Sequence, residues 1–187
     1  MNFYIADLHF GHSNCMAFDA RPFTEIEKHD QALIENWNNA VGVDDDVYIL
    51  GDISWHNSTK TIEIFKSLNG NLHLIKGNHD NKLLKNRELR SLFVEICDYK
   101  ELDLENGKII VLSHYPIPCF NKHYYGSYHL YGHVHIGFEW NMMKNVKRQM
   151  EELYTVPCNM YNIGCMIDYM DYTPRTLSEI IQANTNN

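Results

Sequence analysis

Val47-Tyr48-Ile49-Leu50-Gly51-Asp52 is the stretch whose reading decides the fold. Four apolar, β-prone residues run straight into a glycine and an aspartate, which reads as a buried strand releasing a carboxylate at its end. In open α/β sheets ligands gather at the carboxyl ends of strands, so Asp52 is placed to aim at a site above the sheet edge. A carboxylate has two oxygens and can bridge two cations. The acidic run just before the strand, Asp44-Asp45-Asp46, could suggest a cation site, but it precedes the strand and reads better as a solvated turn.

Working outward, the segment after Asp52 reads as a helix capped by Ser58, with Ile62, Phe65 and Leu68 on its apolar face and Asn69-Gly70 as its stop. A further strand, Leu72-His73-Leu74-Ile75, delivers Gly77-Asn78-His79-Asp80 at its carboxyl end. His73 reads as a satisfied core or surface histidine. Upstream, Asn2 to Ala6 reads as a strand ending at Asp7-Leu8-His9. Strand residues two apart point the same way, so Asp7 and His9 reach one side together if strand geometry persists there. Gly11 suits a tight turn before His12. A helix then follows, opened by Thr24 and Glu27 as a capping box, striped by Ile26, Leu33, Trp37, Ala40 and Val41, and stopped at Gly42. His29 and Asp30 are expected at its solvent face. Arg21 reads as a surface arginine or, alternatively, as a phosphate contact near the site.

Strand–helix–strand–helix–strand makes a parallel α/β half. A third helix is expected over about Lys82 to Phe93. The second half changes character. Tyr99 to Leu104 and Lys108 to Leu112 flank Asn106-Gly107, a strong hairpin signal, and the second strand ends at Ser113-His114. The loop from Tyr115 to Tyr128, rich in Pro, Tyr and His, is either a structured surface loop or one wall of a cleft. Leu130-Tyr131 leads into Gly132-His133-Val134-His135. The polar segment Asn141 to Leu153 gives no clear element. Tyr161 to Cys165 reads as a late strand, Thr176 to Ala183 as a closing helix, and Asn184 to Asn187 as a fraying tail.

The 187 residues suit one domain spanning 1–187, and 44% apolar with 21% charged residues is ordinary globular composition. A net charge of −8 argues against a basic nucleic-acid binder, and no stable nucleic-acid partner is indicated. Metals can still supply positive charge where phosphates bind. The five cysteines are scattered, without a CxxC pair, and read as reduced thiols. With no signal-peptide pattern and no apolar run long enough for a membrane, a cytoplasmic location is expected. The sequence leaves the oligomeric state open.

The series DxH (Asp7, His9), GD (Asp52), GNHD (Asn78, His79), an isolated His114 and GHxH (His133, His135) resembles the calcineurin-like metallophosphoesterase superfamily, in that family's order. The HFGH start with Arg21-Pro22-Phe23 looks like its small bacterial and phage-type members. The resemblance implies an αββα sandwich, an α/β fold (α+β by some schemes) of two mixed sheets flanked by helices. It also implies two divalent metals. Carried over, Asp7, His9, Asp52 and His135 hold one metal, and Asp52, Asn78, His114 and His133 the other. An activated hydroxide attacks phosphorus in line, and His79 protonates the leaving group. Asp80 either supports His79 or merely starts a helix. His12, Asn78 and Arg21 are candidate substrate contacts, and His123 and His129 weaker candidates.

Oxygen and imidazole donors without thiolate suit Mn²⁺, which is favoured, or Fe, Zn²⁺, Co²⁺ or Ni²⁺. Trp55 stands where purple acid phosphatases carry a metal-binding tyrosine, so an iron–tyrosinate site is not indicated. The arginine that follows GNHE in protein serine/threonine phosphatases is missing. With no clamp for a dianionic monoester, phosphodiester hydrolysis is favoured over a phosphomonoesterase acting on a small metabolite or nucleotide. A non-catalytic scaffold of the same fold is the competing class, and the completeness of the ligand set speaks against it.

Overall fold

Two mixed sheets face one another. The computed structural model describes residues 1–185, so the part of the expected tail at Asn186 and Asn187 lies outside the described residues. The first sheet holds β1 (Asn2–Ile5), β2 (Asp46–Leu50), β3 (Asn71–Ile75) and β4 (Phe93–Cys97) in parallel, in the order β4-β3-β2-β1, with β9 (Arg175–Thr176) antiparallel on β1. The second runs β5-β6-β7-β8 (Tyr99–Asp103, Ile109–Ser113, Tyr128–Tyr131, Met160–Asn162). Its β5/β6 pair is an antiparallel hairpin and the rest is parallel.

Alternation along the strands explains the layers. Ile110, Leu112, Leu130 and Tyr161 turn inward and join Phe3, Ile5, Ile49, Leu74 and Trp37 in one large core. Ile109, Val111, Tyr131 and Met160 turn outward and are covered by Met143 and Met150 of helix α5 (Phe138–Tyr154). After the one-turn helix α1 (Cys15–Phe18), helices α2 (Ile26–Ala40), α3 (Ser58–Ser67) and α6 (Leu177–Thr185) add Leu33 and Trp37, Ile62 and Phe65, and Ile180 to the large core. The result is the expected α/β arrangement of two mixed sheets flanked by helices. No helix among the described residues is long and apolar enough to cross a membrane.

Several local expectations are corrected. Glu25, not Thr24, precedes α2, and no side chain caps it, so the capping box does not form. Asn57, not Ser58, caps α3, accepting from the Lys60 amide at 2.9 Å. The helix expected over Lys82 to Phe93 breaks into a 3₁₀ turn (Leu83–Lys85) and a one-turn helix α4 (Arg87–Arg90), because Asn86 caps the second piece. Phe93 then begins β4, a strand hidden by its mixed pattern Phe-Val-Glu-Ile-Cys. The segment left without an element is most of the long helix α5, whose polar face had masked its Met143/Met150 stripe. In the acidic turn, Asp45 pairs with the N-terminus and accepts from the Gly42 amide, while Asp46 meets His73 at 2.9 Å.

His129, a weaker candidate for substrate contact, lies in β7 and is fully buried. Its Nδ1–H donates to the Val111 carbonyl (3.1 Å) and its Nε2 accepts from the Ile117 amide (2.9 Å), so it ties the 115–127 loop to the sheet. Burial pushes its imidazole down to about 4. In the unfolded chain it titrates near ~6.5. Below that pH the unfolded state binds a proton the folded state refuses, so stability falls as pH drops from about 6.5 to about 4, by up to about 3 kcal/mol. His129→Gln keeps one donor and one acceptor without the charge. Its urea midpoint is expected to lose less than wild type between pH 7 and 4.5; equal acid losses would refute this role.

Candidate metal centre

Five strands deliver polar residues just past their carboxyl ends: β1 brings Asp7, β2 Asp52, β3 Asn78, β6 His114 and β7 His133. The sheets meet here. A parallel bridge joins Ala6 to Gly164, and the His114 Nδ1–H donates to the Leu50 carbonyl at 2.8 Å. The turns are not extended strand. Asp7 (φ +55), His9 (+53), Asp52 (+53) and His133 (+67) all take the left-handed conformation. Asp7 and His9 therefore converge through a twisted turn, and strand alternation does not persist past β1. Non-glycine residues held there cost energy and cluster where function demands them.

The donors converge in two groups, Asp7 with His9 and His135, and Asp7 with Asp52 and His114. Asp52 directs one oxygen to each side: Oδ2 lies 3.8 Å from His9 Nε2, and Oδ1 lies 3.8 Å from His114 Nε2. Asp7 Oδ1 stands 4.0 Å from both His9 Nε2 and His135 Nε2. These separations are too long for hydrogen bonds, yet short enough for two donors to share one cation. Asn78 Oδ1 is 2.9 Å from His114 Nε2. His133 joins neither group. Its amide donates to both Asp7 oxygens (3.2 and 3.0 Å) and its ring packs on His114 and Tyr115.

Three observations test whether these residues fit a metal. Asp7 and Asp52 are both buried, and burial raises both carboxyls, Asp7 to about 7. Two neighbouring buried carboxylates call for positive charge. His9 Nε2 is buried without a hydrogen-bond partner among the described residues, and burial holds that imidazole well below its usual range. His114 is held neutral by burial, and its Nδ1 proton is committed to Leu50. Its Nε2 lone pair therefore faces the Asn78 carbonyl oxygen, an acceptor against an acceptor unless the amide is turned, and a shared cation satisfies both. About 3 Å is also the spacing of adjacent donors on an octahedral ion with ~2.1 Å bonds. The donor set fits one or more divalent cations.

The sequence reading missed what stands behind the donors. Asp19 is buried and accepts the His135 Nδ1–H on both oxygens (2.8 Å each), leaving Nε2 turned toward Asp7. Burial alone would lower His135, but the Asp19 bond and the Asp7 charge raise it. Arg21 is neither at the surface nor open to substrate. Its buried guanidinium pairs with Asp19 at 2.9 Å and donates to the Asp7 and Leu8 carbonyls and to His29 Nε2. His29 and Asp30 are likewise buried, not solvent-facing. Asp30 accepts from the Gly11 amide and from His29 and His56, locking the turn after His9. No spacing in the sequence pointed to Asp19; a buried arginine two residues on is its only signature.

Asp80 takes neither role expected of it. It is buried and accepts from the Asp52, Ile53 and Gly77 amides (3.0, 2.9 and 2.7 Å), so it shapes the turn that presents Asp52. His79 is exposed, its amide donates to Asp52 Oδ1, and its ring lies 4.7 Å from the Trp55 ring. Trp55 stacks on His12 (4.1 Å, 4°) and His9 (4.5 Å, 12°). His12 thus sits beside the donors, with its Nδ1 3.0 Å from His9 Nδ1. His123 is elsewhere, packed on Phe120, Tyr124 and Tyr154. Tyr115 brings the start of the 115–127 loop to the site.

No family model matches the chain. It is 29% identical over 182 residues to the uncharacterized protein MJ1445 of Methanocaldococcus jannaschii, spanning 96% of this chain and 89% of that protein. It is also similar to the gene 66 proteins of two mycobacterial phages. The match to that of phage L5 is 36% identical over 92 residues (48% of this chain, 44% of that protein), and to that of phage D29 32% over 127 residues (60% and 62%). Those matches span less than two thirds of either phage protein. Among solved structures, a protein of unknown function from Aquifex aeolicus, AQ665, superposes with a TM-score of 0.70 at 27% identity, covering 98% of both chains.

Proposed function

We propose that this protein is a metal-dependent phosphoesterase with a preference for phosphodiesters, as its resemblance to the calcineurin-like metallophosphoesterases implies. The observation that carries the reading is the buried Asp7/Asp52 pair beside the unpartnered His9 Nε2, opening on the exposed His79. Asp7, His9, Asp52 and His135 would hold one divalent cation, and Asp52, Asn78 and His114 a second, to which the resemblance adds His133 from its place beside the His114 ring, with manganese favoured and iron, zinc, cobalt or nickel compatible. When bound, two such ions supply Lewis acidity that makes water nucleophilic and offsets charge on phosphoryl oxygens.

The chain's own residues do the rest. Asp80, accepting from the Asp52 and Ile53 amides, fixes the turn that presents the Asp52 carboxylate both cations would share. Asp19 fixes the tautomer of His135, a support that typically matters 10–100-fold for metal affinity. His79, at the rim of an open pocket of about 730 Å³ shared with Trp55, Asn78 and Lys82, donates a proton to the leaving oxygen. Arg21 is committed to Asp19 and is no clamp for a dianionic monoester, which favours diesters. The five free cysteines suit a reducing compartment, which favours the cytoplasm.

His79→Ala tests the proton donor. It is expected to slow hydrolysis of an alkyl diester about 10²–10⁴-fold, and that of a p-nitrophenyl diester far less, because nitrophenolate leaves without a proton. Equal losses on both esters would remove His79 from that role. Faster turnover of monoesters than diesters under the same metal would move the protein to the phosphomonoesterase reading.

A further inference from the structure

We infer that the substrate carries a second phosphate, bound in a cationic pocket adjoining the candidate site. This rests on the phosphoesterase reading for the scissile phosphate, but the pocket stands on its own geometry. The chain is acidic overall, at −8, yet Lys76, Lys82, Lys85, Arg87 and Arg90 all fall within one short stretch. Lys76, just past β3, and Lys85, Arg87 and Arg90 of the broken helix all line one open pocket of about 660 Å³. Its lining holds one carboxylate, Asp98, which Lys76 engages at 2.7 Å. Glu88, the nearest acid in sequence, is taken by Lys66 at 2.7 Å. Lys85, Arg87 and Arg90 are exposed and have no carboxylate partner among the described residues.

Continuity makes this a subsite. Asn81 lines both this pocket and the one holding Asn78, His79 and Lys82. A phosphoester seated at Asn78 and His79 can therefore extend past Asn81 into the cations without leaving the groove. Unpaired like charges repel each other, and an anion relieves that repulsion. Guanidinium groups pair with phosphate oxygens through two parallel hydrogen bonds, and the two arginines supply that geometry.

The test uses the full-length, Mn²⁺-loaded protein and thymidine 5′-(p-nitrophenyl phosphate) with and without a 3′-phosphate. The 3′-phosphate is expected to raise kcat/KM about tenfold at low salt, through KM, and the gain should shrink as salt screens it. Arg87→Glu/Arg90→Glu should erase the gain and leave the single-phosphate ester unchanged; the neutral Arg87→Gln/Arg90→Gln pair should fall between. Equal kinetics for the two esters in wild type, or a gain that survives in the reversed pair, would overturn the inference. Calorimetry with thymidine 3′,5′-bisphosphate and thymidine 5′-monophosphate separates the two readings. Preferential bisphosphate binding that the reversed pair loses, without turnover of any ester, keeps the subsite and removes the phosphoesterase. Competition by a short oligothymidylate assigns the second phosphate to a nucleic-acid backbone, and competition by tripolyphosphate assigns it to a small polyphosphate. Competition by neither counts against the subsite.

Discussion

Asp52→Asn is expected to abolish metal-dependent hydrolysis while leaving the metal-free protein at least as stable as wild type. Asn is isosteric and can keep an oxygen for the His79 amide, which Asp52 Oδ1 accepts at 3.1 Å. It loses the charge, and it puts an NH₂ group where one oxygen faces His9 or His114. Burial raises the Asp52 carboxyl, so without a cation the charge is a cost to the fold, and its removal relieves the repulsion with Asp7. With a cation the sign inverts. Removing even a supporting partner costs 10–100-fold in metal affinity, so loss of the shared ligand should cost more than about 100-fold. Metal that binds only the folded state raises the melting temperature, so Mn²⁺ should shift wild type upward and the variant little. A variant that melts lower without metal, yet keeps the Mn²⁺ shift, would make Asp52 a structural residue.

Gly51→Ala should be among the most damaging single substitutions in the molecule. Gly51 has φ +81, and a Cβ there would sit 2.5 Å from the Gly77 Cα and amide nitrogen and 2.6 Å from His114 Nδ1. Those atoms belong to two other strand ends and cannot retreat without moving Asn78 and His114. The left-handed backbone costs about 1–2 kcal/mol for a residue with a Cβ, and the overlap adds about 1–3 kcal/mol. The expected loss is about 2–5 kcal/mol, roughly 5–15 °C of melting temperature. Gly107→Ala is the control, since Gly107 has φ +78 but nothing within 4 Å of the added Cβ. It should pay only the backbone cost. If both variants melt alike, the close approach of β2, β3 and His114 is not what the glycine serves.

Where a strand is apolar along its length or a turn dictates a hairpin, the sequence was legible. The runs at Val47 to Leu50 and Leu72 to Ile75 and the Asn106-Gly107 hairpin fell where expected, because a buried strand has few other ways to be written. Helix α5 was illegible because only a narrow face, Met143 and Met150, is buried. β4 was illegible because Val94 is exposed and Glu95 binds His73 and Lys100. In the candidate site, Asp7, His9, Asp52, Asn78, His114 and His135 lie close together, while His133 joins neither donor group. Their supports did not announce themselves. Asp19, Arg21, His29 and Asp30 form one buried polar chain whose members lie in unremarkable loop and helix sequence, and only the packing shows that they touch. A solvent reading of His29 and Asp30 fails for a physical reason: each buried polar group has a partner that the linear pattern does not encode.

A pair of divalent cations held by the Asp52 cluster, used for phosphodiester hydrolysis, is what we propose. The most direct measurement strips the protein of metal, restores Mn²⁺, and follows bound metal and hydrolysis of bis(p-nitrophenyl) phosphate together, with Asp52→Asn alongside. Two ions per chain, turnover that rises with the bound metal, and loss of both in the variant are expected. Metal-free protein that binds no Mn²⁺, or wild type and variant that behave alike, would contradict the proposal.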